Sequence, residues 1–282
     1  MSQQDKPPFK HKNNKRPHKD GSFKRAGTRP HQKPEYRRKS EPSDEPMHLY
    51  GLHTLEAAFN NKERKRHKLF VTTNALNRLK ERDITIDVPI EEMSPRQIDK
   101  LVSKDAVHQG AVLLCDPLPH YGAAHLKHGK LVLALDQVTD PHNVGAILRS
   151  ALALGADAVV TTRRHAPEEG PVLAKTASGA LDMIKHVRVQ NMARFVEEMQ
   201  DAGFQAIALD SEGPTSLEET RFTDKTLLVL GSEGKGVRQG IRETCGTLAR
   251  LDMPGPIKSL NVSNAAVLSL YVARVKMGLV KL

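Results

Sequence analysis

From residue 130 onward the chain repeats one pattern: a short, almost wholly apolar run, then a stretch with apolar residues at helical spacing. Residues 131–138, 158–162, 186–189, 205–209, 226–230 and 248–253 read as strands; 143–156, 172–184 (mostly helical), 193–203, 237–245 and the long amphipathic 259–277 read as helices. Strands that are apolar on both sides must be buried on both faces. This half is therefore expected to be α/β, with a mostly parallel sheet covered by helices on each side. Ligands of such sheets bind beyond the carboxyl ends of the strands, so the turns from strand to helix are where chemistry is sought.

The residues before this half differ. Residues 47–117 read as a small domain alternating α and β. Leu52, Leu55, Ala58 and Phe59 fall at helical spacing, 68–72 is a short strand, 75–80 a helix, 83–88 an alternating strand, Ser94 and Pro95 start another helix, and 111–114 is a last strand. Residues 118–129, with Pro119, Gly122 and Gly129, read as a linker. Residues 1–46 hold 13 Lys and Arg against 6 Asp and Glu, a large share of the net charge of +10, and few aliphatic side chains. Such a segment cannot bury enough apolar area to offset the entropy of ordering and is expected to be disordered; it is either a solvated extension or an arm that tethers RNA.

Several function classes fall away. The first strand of the regular half leads into Asp136-Gln137-Val138-Thr139-Asp140-Pro141-His142-Asn143-Val144-Gly145, with one glycine where a dinucleotide fold has three. Gly234-x-Gly236-x-x-x-Gly240 has the wrong final spacing for that fingerprint and for a phosphate-binding P-loop. Cys115 and Cys245 are far apart, and His120, His125 and His128 have no cysteine or acidic partner at ligand spacing, so no metal is expected. No apolar run approaches the ~20 residues needed to span a bilayer, no secretory pattern opens the chain, and the expected location is the cytoplasm.

Three strand-to-helix turns carry polar groups beyond what a turn needs. In the first, Asp140-Pro141 makes a turn, Asn143 can cap the helix or offer its amide, Gly145 permits close approach at a helix N-terminus, and Arg149 lies about two turns further on. In the second, Gly231-Ser232-Glu233-Gly234-Lys235-Gly236 presents bare backbone amides, while Glu233 can anchor Arg149 or a helix end. In the third, Met253-Pro254-Gly255-Pro256 is a stiff loop before a helix start crowded with Ser259, Asn261, Ser263 and Asn264, more than one cap uses.

Together these turns resemble the signature motifs of the SpoU (TrmH-type) branch of the SPOUT RNA methyltransferases. The resemblance runs through 130–282. Residues 47–117, with His48-Leu49-Tyr50-Gly51-Leu52-His53 and Val107-His108-Gln109-Gly110, look like the small RNA substrate-binding domain found in front of it. The chain is most similar to the bacterial 23S rRNA guanosine 2′-O-methyltransferase subgroup. The resemblance implies a C-terminal trefoil knot, an exception to the rule against knots, and a homodimer with active sites at its interface. It also implies S-adenosyl-L-methionine as cofactor and transfer of its methyl group to a ribose 2′-hydroxyl of RNA. The family's catalytic positions fall on Asn143, Arg149, Glu233, Ser259 and Asn261, and its adenosyl-binding positions on Gly231, Leu251, Met253 and Leu260. Leu251-Asp252-Met253 departs from the Ile-Pro-Met common there, which makes that loop less rigid. Arg149 is open to two roles, a clamp on the phosphate beside the target ribose or a proton acceptor, the second demanding for a guanidinium, which holds its proton tightly. A tRNA-directed relative of the same family and a non-catalytic RNA-binding protein on this fold are the alternatives; the second should show broken motifs.

Overall fold

The computed structural model describes residues 45–279; residues 1–44, nearly all of the basic segment, lie outside that range. The first part is a four-stranded sheet in the order β1-β4-β2-β3, built from Met47–Tyr50 (β1), Arg66–Val71 (β2), Ile90–Glu92 (β3) and Ala111–Cys115 (β4). β4 pairs antiparallel with β1 and β2, and β3 joins β2 in parallel. Leu52–Asn60 (α1) and Thr73–Lys80 (α2) supply the apolar faces, burying Leu55, Ala58, Leu76 and Leu79, and the one-turn helix Pro95–Ile98 (α3), started by Ser94 and Pro95, buries Ile98. The two sequence segments singled out in this part meet: the side chain of Gln109 accepts from the Leu52 amide at 3.1 Å, filling the place of an N-cap that Gly51 cannot supply.

Residues 83–88 are not a strand. Asp83 closes the turn after α2 at φ 54°, and Ile86 and Val88 pack on the core from an extended segment without a ladder, so their alternation records burial alone. Pairing begins two residues later, at β3. β1 was not anticipated, because four residues are too few to display a period and its partner β4 lies some sixty residues away.

The second part is a seven-stranded sheet in the order β7-β6-β5-β10-β8-β11-β9, parallel throughout. Its strands are Leu131–Asp136 (β5), Ala158–Thr162 (β6), Lys185–Val189 (β7), Gln205–Leu209 (β8), Thr215–Ser216 (β9), Thr226–Gly231 (β10) and Thr247–Arg250 (β11). Leu131, Leu133 and Leu135 face Pro141–Ala153 (α4), Pro171–Ala177 (α5) and Val262–Lys276 (α8); Val132 and Ala134 face Met192–Asp201 (α6) and Gln239–Cys245 (α7). Both faces of β5 are thus buried, as its unbroken apolar run requires. The helical reading of 172–184 breaks at Ser178 (φ 50°) and Gly179 (φ 92°), whose left-handed backbone stops α5; a short 3₁₀ turn, Ala180–Asp182, follows.

The parts are joined by a buried ion network. Arg64 has no exposed side-chain surface; its Nε and Nη2 donate to Asp182 at 2.8 and 3.0 Å, and its Nη1 donates to the Asp116 carbonyl at 3.0 Å and to Glu169. One cation of the first part is held by two carboxylates of the second.

Candidate active site

β5 and β10 run in register from Leu131 opposite Thr226 to Asp136 opposite Gly231, so their carboxyl ends are level and the loops that follow emerge side by side. After β5, Asp140 is the N-cap of α4, accepting from the His142 amide at 3.0 Å, and Pro141 fills the first helical position. Asn143 therefore does not cap; its amide is left for the site. Gly145 also serves another purpose than ligand approach: a Cβ there would lie 2.7 Å from Thr176 Cβ and 3.0 Å from the Leu173 carbonyl, so the glycine lets α5 pack against α4.

After β10, the segment 231–236 folds back on itself, with Ser232 bridged to Gly236 and the Gly236 amide donating to the Ser232 carbonyl at 3.0 Å. A Cβ on Gly231 would stand 1.9 Å from the Gly236 carbonyl carbon, so only glycine admits this turn. After β11, the chain runs through 251–260 as an exposed loop, and α8 starts at Val262 with Asn261 as N-cap. Ser259 and Leu260 belong to the loop, not to the helix start expected for them.

Asn261 joins the three segments. Its Nδ2 donates to Glu233 Oε1 at 2.7 Å and to Asn143 Oδ1 at 3.1 Å, while its Oδ1 accepts from the Ser263 amide at 2.9 Å and from the Ser263 hydroxyl at 2.5 Å. Glu233 Oε1 also accepts from the Val262 amide at 3.1 Å, the carboxylate-to-helix-end contact anticipated for it. Both amide hydrogens of Asn261 and its carbonyl are engaged, so it braces the junction. Arg149 stands apart: it is exposed on α4, and among the described residues it makes no hydrogen bond or ion pair, with Glu233 or otherwise.

Beside the junction lies a cavity of about 410 Å³, within the ~300–1,000 Å³ usual for small-molecule and cofactor sites. Gly231, Glu233, Leu251, Met253, Ser259 and Leu260 all line it. It combines bare backbone at 231–236, apolar walls from Leu251, Met253 and Leu260, and carboxylates at Asp210 and Glu212, a donor set that suits an adenine ring with its ribose hydroxyls and a charged amino-acid tail. Asp210 and Glu212 were missed from the sequence, although they follow β8, the neighbour of β10, and the carboxyl-end rule covered that turn equally. Asp252, in place of the family's proline, accepts from Arg250 at 2.8 Å, an exposed pair that ties down the loop start. Asn143, Arg149 and Asn261 do not line this cavity.

Residues 130–271 match the model of the SpoU rRNA Methylase family, and residues 48–121 match that of RNA 2′-O ribose methyltransferase substrate binding. The chain belongs to the SpoU rRNA methylase family. It is 34% identical over 234 residues to the 23S rRNA (guanosine-2′-O-)-methyltransferase RlmB of Pseudomonas aeruginosa, covering 79% of this chain and 94% of the relative. To the protein of the same description from Vibrio cholerae it is 33% identical over 242 residues, covering 80% and 95%. Among solved structures, the SpoU methyltransferase AviRb from Streptomyces viridochromogenes in complex with AdoMet superposes with a TM-score of 0.71 at 25% identity, over 81% of this chain and 89% of that one. An AdoMet-bound rRNA methyltransferase from Sinorhizobium meliloti shares the fold, with a TM-score of 0.71 at 21% identity, over 84% and 88%. Membership makes the chain an S-adenosylmethionine-dependent RNA methyltransferase with a substrate-binding domain ahead of its catalytic sheet. Among the described residues no helix is long and apolar enough to cross a membrane, and no three His, Cys, Asp or Glu side chains cluster as a metal site would require.

Proposed function

We propose that this SpoU methylase methylates the ribose 2′-hydroxyl of a guanosine in 23S rRNA. The observation that carries the reading is the Asn143–Asn261–Glu233 junction: three segments separated by 118 and 28 residues close through one amide at the rim of the cavity. When bound, S-adenosylmethionine supplies a methyl activated by its sulfonium. We place it against Gly231, Leu251, Met253 and Leu260.

The chain's own residues then hold and orient. Ser259 lines the cavity with a hydroxyl that makes no hydrogen bond among the described residues, suited to the cofactor tail or the ribose. Asn143 holds Asn261, and Asn261 fixes the position of Glu233, which in turn holds the start of α8. Arg149, unpartnered and exposed, serves first as a clamp on the phosphate beside the target ribose and second as the acceptor of the hydroxyl proton. Its position outside the protomer's own cavity supports a homodimer with active sites at the interface, as do Leu268 and Tyr271, apolar side chains one turn apart on α8 that are 47% and 46% exposed. Included in the reading are residues 47–117 as the RNA-binding domain, 118–129 as linker and 130–282 as catalytic domain. A knotted C-terminal segment and a cytoplasmic location belong to it too; the packing of the 251–260 loop beside 231–236 is what supports the knot.

The test is transfer of labelled methyl from S-adenosylmethionine to separate 23S rRNA and tRNA pools. We expect label in 23S rRNA alone. Label in tRNA would redirect the substrate assignment, and label in neither RNA, naked or in ribosomal particles, would refute the activity.

A further inference from the structure

On the other side of β5 and β10, the same carboxyl edge of the sheet carries a second cavity, of about 770 Å³, that the chemistry above does not use. Thr162 at the end of β6 lines it. This residue is only 4% exposed, and its Oγ1 is buried without a hydrogen-bond partner among the described residues. The turn that follows, closed by the Ala166 amide on the Thr162 carbonyl at 3.2 Å, presents Arg164 to the cavity, exposed and without an ion partner among the described residues. Across from it α6 begins: Asn191 caps the helix, and Arg194 reaches the cavity from the first turn, paired at 3.0 Å with Glu198, the one carboxylate among the lining residues, in an exposed contact of little worth that a phosphate can replace. Arg238 closes the third side. Its Nε and Nη2 grip the fully buried Asp136, at distances down to 2.7 Å, which fixes the guanidinium and leaves Nη1 without a partner among the described residues.

Three arginines converging on one cavity, one of them held rigid by a buried carboxylate, are the elements of a phosphate site. We infer that this cavity binds a backbone phosphate of the RNA substrate, at a nucleotide flanking the one that is methylated. The placement fits: β6 and β10 are two strand spacings apart, about 10 Å, and the 231–238 segment borders both cavities, lining the first through Gly231 to Gly236 and the second through Arg238. The inference rests on the RNA methyltransferase reading.

The experiment compares wild type, R164A/R194A and T162V for binding to transcribed 23S rRNA across a salt series, with S-adenosylmethionine binding and circular dichroism as controls for folding. Both arginines are on the surface and T162V keeps the side-chain shape, so all three proteins should bind the cofactor equally. R164A/R194A should bind RNA at least tenfold more weakly at 0.15 M salt, with a slope of log affinity on log salt shallower by about 0.7–0.9 for the one phosphate no longer neutralised. T162V should bind RNA as wild type does, because the Thr162 Oγ1 is shielded from the cavity and the substitution removes no charge. Equal affinity and slope in all three proteins would overturn the inference. So would stabilisation of the wild type by inorganic phosphate that R164A/R194A abolishes while RNA affinity is unchanged, because the site would then serve a free anion. A wild type that binds 23S rRNA without methylating any RNA would refute the proposed function, and the variant comparison would still decide this site.

Discussion

Gly231→Ala separates a cofactor cavity from a mere loop. The added Cβ would lie 1.9 Å from the Gly236 carbonyl carbon, 2.0 Å from its oxygen and 2.2 Å from the Val237 nitrogen. All three are backbone atoms, so no rotamer change relieves the overlap, and the 232–236 turn must retreat by about 1.5 Å to regain ordinary contact near 3.4 Å. Overpacking of this kind costs ~1–3 kcal/mol. Because the displaced turn is itself the wall that meets the cofactor, most of that cost should fall on binding, giving about 10- to 100-fold weaker S-adenosylmethionine affinity. Isothermal titration reads the affinity and a thermal melt the stability. Gly122→Ala, at a position with no atom within 4 Å of the new Cβ, is the control and should match wild type in both. A G231A protein that binds the cofactor within twofold of wild type would show that the cavity beside this turn is not the cofactor site.

Arg64→Met should destabilise the protein by ~3–5 kcal/mol, because the Asp182 side chain, fully buried, loses its bidentate partner; a fall in the urea midpoint measures it, R64M/D182L should regain most of it, and a loss below ~1 kcal/mol would mean the network is not what joins the two sheets. The His186 imidazole, hydrogen-bonded to Thr161 at 3.0 Å, is pushed down to about 4 by burial, with Arg188 and His120 adding to the effect. Below pH about 6.5 the unfolded chain binds a proton that the folded chain refuses, so stability should be fully present at neutral pH and decline as pH falls toward 4, by at most ~1.4 kcal/mol per unit; His186→Gln should flatten that decline, and an unchanged pH profile would refute the cause. Asn261→Ala should cost ~1 kcal/mol through the lost cap and a much larger fraction of turnover, because Glu233 and Asn143 both lose their common brace. Turnover within a few-fold of wild type would leave Asn261 as a helix cap and no more.

What was legible in the chain followed burial and local chemistry. β5 and β10 could be read because being covered on both faces leaves only apolar residues, and Asp140-Pro141 or Asn261 could be read as turn and cap because each acts within a few residues of itself. What was hidden depends on distant partners. β1 exists because β4 accepts it, and Ile84, Ile86 and Val88 imitate a strand because extended chain and paired chain bury the same side. Gly145 looked like a ligand-facing glycine and is a helix-packing one, a distinction set by α5. The residues of the site itself were named from family resemblance. Asn143, Glu233 and Asn261 are in direct contact, whereas Arg149 has no such partner in its own chain among the described residues.

A ribose 2′-O-methyltransferase is distinguished from every other RNA methylase by where its methyl group sits on the product. 23S rRNA treated with the protein and S-adenosylmethionine, then cleaved by alkali, should show one new interruption in the cleavage ladder, at a guanosine, because a 2′-O-methyl group removes the nucleophile that cuts the adjacent phosphodiester. The same reaction with Arg149→Ala, folded as judged by circular dichroism, should leave the ladder unbroken. Label incorporated into RNA that alkali still cuts at every position would mean a base methylase and would contradict the assignment.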